Sequence, residues 1–232
     1  MAFVLYNNRA RSWLYDTVVL SAGCNAVVVD EILRHSRRTG LYVRVLAHAV
    51  GAWGKGRSAR YVSHMNELLG AAAVFHDAGK FAVPASILGK RGRLSTIEFE
   101  AVQHHPLTGA HMIRRAATGM PSLFARCAVE MAEFHHEHWD GSGYPFGIKG
   151  KQIPFAARIM TIADVYDALV HSRVYKAAIE HEDAVRIICD GAGTAFDPWL
   201  VEVFAQCSTR FFDTSERLHE SLRPRVPGLW RA

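Results

Sequence analysis

Apolar stretches of helical length in this chain repeatedly end on, or carry, histidine and aspartate, and that combination narrows the folds open to it. AAAVFHDAGK runs from Ala71 to Lys80, AVEMAEFHH from Ala128 to His136, and PFAARIMTIADVYDALV from Pro154 to Val170. Apolar residues recur at helical spacing almost throughout, whereas the period-two alternation of a half-buried strand is nearly absent. The pattern predicts an all-α fold, a compact multi-helix bundle. Helices are expected over about 11–35, 40–52, 60–76, 94–104, 107–117, 122–136, 154–171, 179–190 and 197–210. Imidazoles and carboxylates are costly to bury unless they are paired or bound to a cation. Their position at the ends of apolar helices therefore points to a polar centre inside the bundle.

The connections follow from turn chemistry. Gly51–Arg60, GAWGKGRSAR, is a basic, glycine-rich link, and Lys80–Ser95 is a loop carrying Pro84, Gly89 and Gly92. Ser95 with Glu98 has the spacing of a capping box for the next helix. A length of 232 residues with 50% hydrophobic composition suits one globular domain, expected over 29–210. An N-terminal helical segment, 1–28, and a loose C-terminal tail, 211–232, are expected to flank it, with no receiver or sensor module beside it. The formal charge of +5 is mild and favours an anionic ligand. No basic stripe interleaved with aromatics suggests long nucleic acid. Val18–Val29 is too short and too interrupted to span a membrane. Cys24, Cys127, Cys189 and Cys207 are scattered, as free thiols in a reducing compartment would be, so a cytoplasmic protein is expected.

His135 and His136 open HHEHWDGSGYPFGIKGKQIP, in which Gly141, Gly143, Pro145 and Gly147 impose a tight, irregular backbone. Neutral imidazole is the commonest protein ligand for divalent metals. Twin imidazoles beside a rigid loop suggest a metal at the floor of a cleft with the loop above it. His76 and Asp77 point about 100° apart on a helix, so they reach neighbouring ions, and the two oxygens of Asp77 can bridge them. His104 and His105 precede Pro106, where the backbone must turn, and only one need face inward. Asp164 and Asp167 share a helical face at i, i+3. Asp164 is expected as a ligand and Asp167 as a supporting acid paired with an arginine. Glu31 and His35, at i, i+4 in VVVDEILRHSRR, share a face, a spacing that a surface pair explains more readily than a site does.

In this order and composition the motifs resemble the HD-GYP family, a branch of the HD metal-dependent phosphohydrolases. The resemblance covers about residues 31–206 and includes FDP at Phe196–Pro198, similar to that family's closing segment. It implies an HD-type bundle with a metal centre in its core and the GYP loop over the cleft. It selects His105 rather than His104, leaving His104 and His111 at the surface. Metal ligation is implied for His76, Asp77, His105, His135, His136 and Asp164. Glu31 and His35 match an additional pair that supports a third metal in some members, with Arg38 and Tyr42 in family register. The chain departs from the family in Ala78, where a bulkier aliphatic residue is usual, and in Val174 of RVYK, where proline is usual.

The implied donors are five imidazoles (His35, His76, His105, His135, His136) and three carboxylates (Glu31, Asp77, Asp164). Such nitrogen and oxygen ligation suits two or three divalent ions, iron or manganese, with zinc also suited. The expected reaction is metal-assisted hydrolysis, in which a water acidified between cations attacks phosphorus in line. Asp77 and Lys80 are the catalytic candidates, Lys80 by offsetting charge on a phosphoryl oxygen. Tyr144 would donate a hydrogen bond or stack on a base. Arg173 and Lys176 would hold a second phosphate, one by a planar fork and one as a point charge. The residues themselves support a dianionic phosphodiester. The resemblance implies cyclic di-GMP, opened to linear pGpG and in some members onward to GMP, with a diguanylate cyclase (GGDEF) partner at the GYP loop and a homodimer as further expectations. The alternatives are a catalytically silent cyclic-dinucleotide or cyclase-binding protein, and an HD phosphohydrolase acting on another cyclic dinucleotide.

Overall fold

A computed structural model describes residues 26–53, 58–117, 122–172 and 178–222. Among these the helices are α1 (Ala26–Trp53), α2 (Ala59–Ala73), α3 (Ala85–Leu88), α4 (Thr96–Gln103), α5 (His105–Ala116), α6 (Ser122–Phe134), α7 (Phe155–Val170), α8 (His181–Asp190) and α9 (Pro198–Leu222). Short 3-10 turns cover Ala78–Ala82 and Gly150–Gln152. No strand occurs among the described residues, as the helical periodicity predicts. Arg173, Val174 and Lys176, Cys24, most of the expected N-terminal segment and the tail beyond 222 lie outside the described residues.

Local signals start several helices. The Ser58 hydroxyl accepts the Tyr61 amide at α2, and Ser95 with Glu98 forms the expected capping box at α4. Pro106 occupies the first turn of α5, where no intrahelical donor is lost. The Asp197 carboxylate accepts the Trp199 amide at 3.0 Å as α9 begins.

α7 is the central element. Ala156, Ala157, Ile159, Met160, Ile162, Ala163, Tyr166 and Leu169 are all buried on it, so it is apolar on nearly every side. α1, α6 and α8 pack against α7, α2 packs between α1 and α6, and α9 lies against α1 and α8. The centre of the core is aromatic. Tyr42 stacks on Phe211 at 5.3 Å and meets Tyr166 edge-on at 5.0 Å, while Phe204 meets Phe211 at 4.9 Å.

Two expectations are corrected. The break expected between residues 35 and 40 is absent, and α1 runs through it. Gly40 does not end the helix; it lets α1 cross α2 closely, since a Cβ there would stand 2.7 Å from the Gly70 carbonyl oxygen. Thr39 turns its hydroxyl back on the His35 and Ser36 carbonyls and so stays helical. The helix expected to stop at 210 continues to Leu222, because Phe211 and Ser215 face the core rather than solvent.

Alanine stabilises a helix interior relative to glycine by about 1 kcal/mol, yet the crossing reverses that sign. Gly40→Ala is expected to lower unfolding free energy in urea by about 1–3 kcal/mol through overpacking; unchanged or increased stability would show that the crossing relaxes freely.

Candidate metal centre

The centre is assembled from helix ends. His76 and Asp77 follow α2, His105 opens α5 against Pro106, His135 and His136 follow α6, Asp164 projects from α7, and His35 projects from α1. Gly79 permits the convergence. A Cβ at that position would lie 1.9 Å from the His105 carbonyl oxygen, so the turn carrying Asp77 and the start of α5 could not otherwise meet.

The imidazoles are oriented by their own backbones. The Nδ1 of His76 bonds the Ala73 carbonyl at 2.9 Å, that of His105 the Val102 carbonyl at 2.7 Å, and that of His135 the Met131 carbonyl at 2.9 Å. A carbonyl can only accept, so each Nδ1 carries a proton and each ring turns its Nε2 inward. The Nε2 atoms crowd together, with those of His76 and His35 3.2 Å apart and those of His105 and His135 3.3 Å apart.

Asp77 lies between the two groups. Its Oδ2 stands 3.4 Å from His76 Nε2 and 3.5 Å from His35 Nε2; its Oδ1 stands 3.3 Å from His105 Nε2 and 3.8 Å from His135 Nε2. Two clusters result, His35–His76–Asp164 and His105–His135–His136, with ligating atoms within 4.8 Å of one another in each. Asp77 Oδ1 is buried with no hydrogen-bond partner. A buried carboxylate oxygen facing imidazole nitrogens lacks a positive partner that a divalent cation would supply. The nitrogen and oxygen donor set fits such an ion.

The electrostatics are consistent with that fit. Burial works to raise the Asp77 pKa, but the Lys80 ammonium, 2.7 Å from Oδ2, and His76 hold it well below the usual range. Burial likewise works against ionised Asp164, and the hydrogen bond from His35 overcomes it. Burial also pulls the His35 imidazolium down, yet Asp164 and Asp167 together raise its pKa to about 9, marking a place that favours positive charge. Across the centre, burial lowers His135 well below its ordinary value and His136 to about 3, so both stay neutral and able to ligate.

Asp167 has the supporting role expected of it. His35 Nδ1 donates to its Oδ2 at 2.6 Å, and Arg38 grips it with Nε at 2.7 Å and Nη2 at 2.9 Å. Tyr144 stacks on His136 at 4.7 Å. Trp139 lies under the Arg158 guanidinium, which is itself paired with Asp197. The FDP segment thereby anchors the glycine loop, and the Trp139 and Asp140 amides also donate to the Ala195 and Thr194 carbonyls. Gly141 and Gly147 take the positive φ the loop demands, 87° and 65°. His104 and His111 are exposed.

Glu31 is not brought into either cluster. Its side chain is 45% exposed and lies 3.4 Å from Arg38 Nη2. Sequence reasoning passed over Glu137, which is buried and accepts the Phe146 amide at 2.7 Å, tying the loop to the histidine doublet. It also passed over Thr161, whose hydroxyl donates to the His135 carbonyl at 2.9 Å. The acid directly after two inward histidines was the available signal for Glu137; Thr161 has none.

Two substitutions test this arrangement. Asp77→Ala removes the shared carboxylate and should strip most of the metal, read by elemental analysis of anaerobically purified protein; undiminished content would show that each cluster holds its ion alone. Asp167→Asn leaves Arg38 buried beside a neutral group and should cost about 3–5 kcal/mol in urea unfolding; a loss below about 1 kcal/mol would place the pair among weak surface bridges.

The HD domain family model matches residues 56–200. A probable cyclic di-GMP phosphodiesterase of Vibrio cholerae is 38% identical over 217 residues, covering 92% of this chain and 49% of that protein. A cyclic di-GMP phosphodiesterase of the same organism is 41% identical over 198 residues, covering 84% of this chain and 40% of that protein. The chain thus spans half or less of the length of these curated relatives. A solved HDG"Y"P protein from Bdellovibrio bacteriovorus shares the fold, with a TM-score of 0.57 over 75% of this chain and 51% of that one at 18% identity. The family model takes in more than half of the sequence and the histidine, aspartate and glycine-loop motifs run in HD-GYP order, so the chain belongs to the HD domain family, as a member of its HD-GYP branch.

Proposed function

We propose that this chain is the catalytic domain of a cytoplasmic, metal-dependent phosphodiesterase that opens cyclic di-GMP to linear pGpG and cleaves it onward to GMP. The observation that carries the reading is Asp77, a buried carboxylate whose two oxygens face two separate histidine clusters. A dinuclear site suits an in-line displacement at phosphorus, in which the attacking and leaving oxygens both need charge stabilisation.

His35, His76, Asp164 and Asp77 would hold one divalent ion, and His105, His135, His136 and Asp77 the other, iron or manganese by donor type. Such ions, when bound, acidify water and neutralise a phosphodiester. The chain's own residues do the rest. Lys80, 19% exposed at the mouth of the centre, keeps Asp77 ionised and lends its charge to a phosphoryl oxygen. Tyr144, stacked on His136 and half-buried, offers a hydroxyl or a ring face to the substrate. Arg173 and Lys176 are assigned the second phosphate of the dinucleotide on the family resemblance. Glu31 would support a third ion after turning away from Arg38. The glycine loop, braced by Glu137 and the Thr194–Ala195 backbone, would also be the docking point for a diguanylate cyclase partner, and the protein would act as a homodimer.

Turnover by metal-loaded protein, with products separated by chromatography, tests the reading. pGpG or GMP is expected, and failure to cleave with iron, manganese or zinc would overturn it in favour of a silent receptor. A mixed guanine–adenine cyclic dinucleotide should be cleaved more slowly; a preference for it would move the assignment to another cyclic dinucleotide. Lys80→Met should retain metal and lower kcat by about a hundredfold, the scale of one lost charge-stabilising donor; an unchanged kcat would remove Lys80 from the chemistry.

A further inference from the structure

Well along α1 from His35, the same helix helps form a second recess. A cavity of about 580 Å³ opens where single stripes of α1, α2 and α9 meet. α1 contributes Arg44 and His48, α2 contributes Asn66 and Glu67, and α9 contributes Arg210 and Arg217. Arg44 lies nine residues beyond His35, about 13 Å at the helical rise, and none of these side chains belongs to the metal clusters.

Charge and hydrogen bonding in this recess are unbalanced in one direction. Three arginines face one glutamate, and Glu67 is engaged by Arg44. Arg210 donates to His48 Nδ1 at 3.3 Å, which uses one of its five N–H groups and brings no negative charge. No carboxylate pairs with Arg210 or Arg217 among the described residues. Asn66 is the second, independent sign. It is only 6% exposed and lines the cavity, yet its amide makes no hydrogen bond with any described group. The buried polar atoms without a partner among the described residues are on Tyr42, Asp77 and Glu137, so the Asn66 amide is open on the recess side to solvent or ligand. Leu41 and Val45 add an apolar wall beside the charges.

We propose that this cavity is a binding site for a small phosphate-bearing molecule of nucleotide size. Arg210 and Arg217 would fork onto the phosphate oxygens, Arg fitting that geometry better than a point charge does. The Asn66 amide would meet a polar edge of the ligand, and the Leu41–Val45 wall would cover its apolar body. The volume falls within the range of small-molecule sites. The inference does not rest on the hydrolytic reading, since the site would exist whatever the metal centre cleaves.

The test uses AMP as the phosphate probe and adenosine as its uncharged control, titrated calorimetrically into the metal-loaded chain and into Asp77→Ala, which disables the metal centre as a competing anion site. Saturable AMP binding that persists in Asp77→Ala, weakens about tenfold or more in Arg210→Gln and in Arg217→Gln, and is absent for adenosine would support the site. AMP binding that disappears with Asp77→Ala, that is indifferent to both glutamine variants, or that adenosine matches, would overturn it. The unsubstituted chain gives a check independent of how the variants fold. The Asn66 side-chain amide resonance should move with AMP and not with adenosine, and a resonance that stays still at saturating AMP would overturn the proposal.

Discussion

A carboxylate buried among imidazoles is unstable without positive charge close by, and the arrangement around Asp77 follows from that constraint. One oxygen receives Lys80 and faces His76 and His35; the other faces His105 and His135 with no hydrogen-bond donor. The surrounding rings cannot supply the missing protons. Three of them spend their N–H groups on main-chain carbonyls of the helices that precede them. The centre is thus built to be completed by cations, and the helix ends that supply the carbonyls also set the aim of the Nε2 atoms.

Holding four helices and a turn to that geometry requires support outside the ligands. The His35 ring is set from behind by Asp167, and Asp167 is held in turn by the Arg38 fork, so the first helix is locked to the central one by a buried ionic network. A buried pair of this kind is poor evidence of net stability, because desolvation offsets attraction. Its value lies in fixing the rotation of α1 about its own axis. On the other side, Gly79 allows the Asp77 turn to touch the start of α5, and Glu137 and Asp197 brace the loop above the histidine doublet.

Much of the candidate site was legible because metal ligands must be particular residue types at helix ends, and such residues stand out in apolar runs. His76–Asp77, His135–His136 and Asp164 announced themselves in that way, and the capping box at Ser95 was readable from spacing alone. The choice of His105 over His104 was less so. Both precede a proline in the same composition, and only the orientation of the first turn of α5 decides which ring is buried. The break expected between residues 35 and 40 failed for a related reason. Gly40 serves a close approach to Gly70 on another helix, which no local window contains.

From the order and identity of its residues alone, the chain determined an all-α architecture, a histidine–aspartate centre without thiolates, and a glycine-constrained loop beside it. These depend on periodicity, burial cost and turn chemistry, which act within a few residues of each other. Tertiary structure decided the rest: that Asp77 faces two clusters rather than one, that Glu31 rests on Arg38, and that three helices border an open basic recess lined by Asn66. Those features arise between side chains far apart in the chain. Their distances are set by how helices cross and by which groups burial obliges to find a partner.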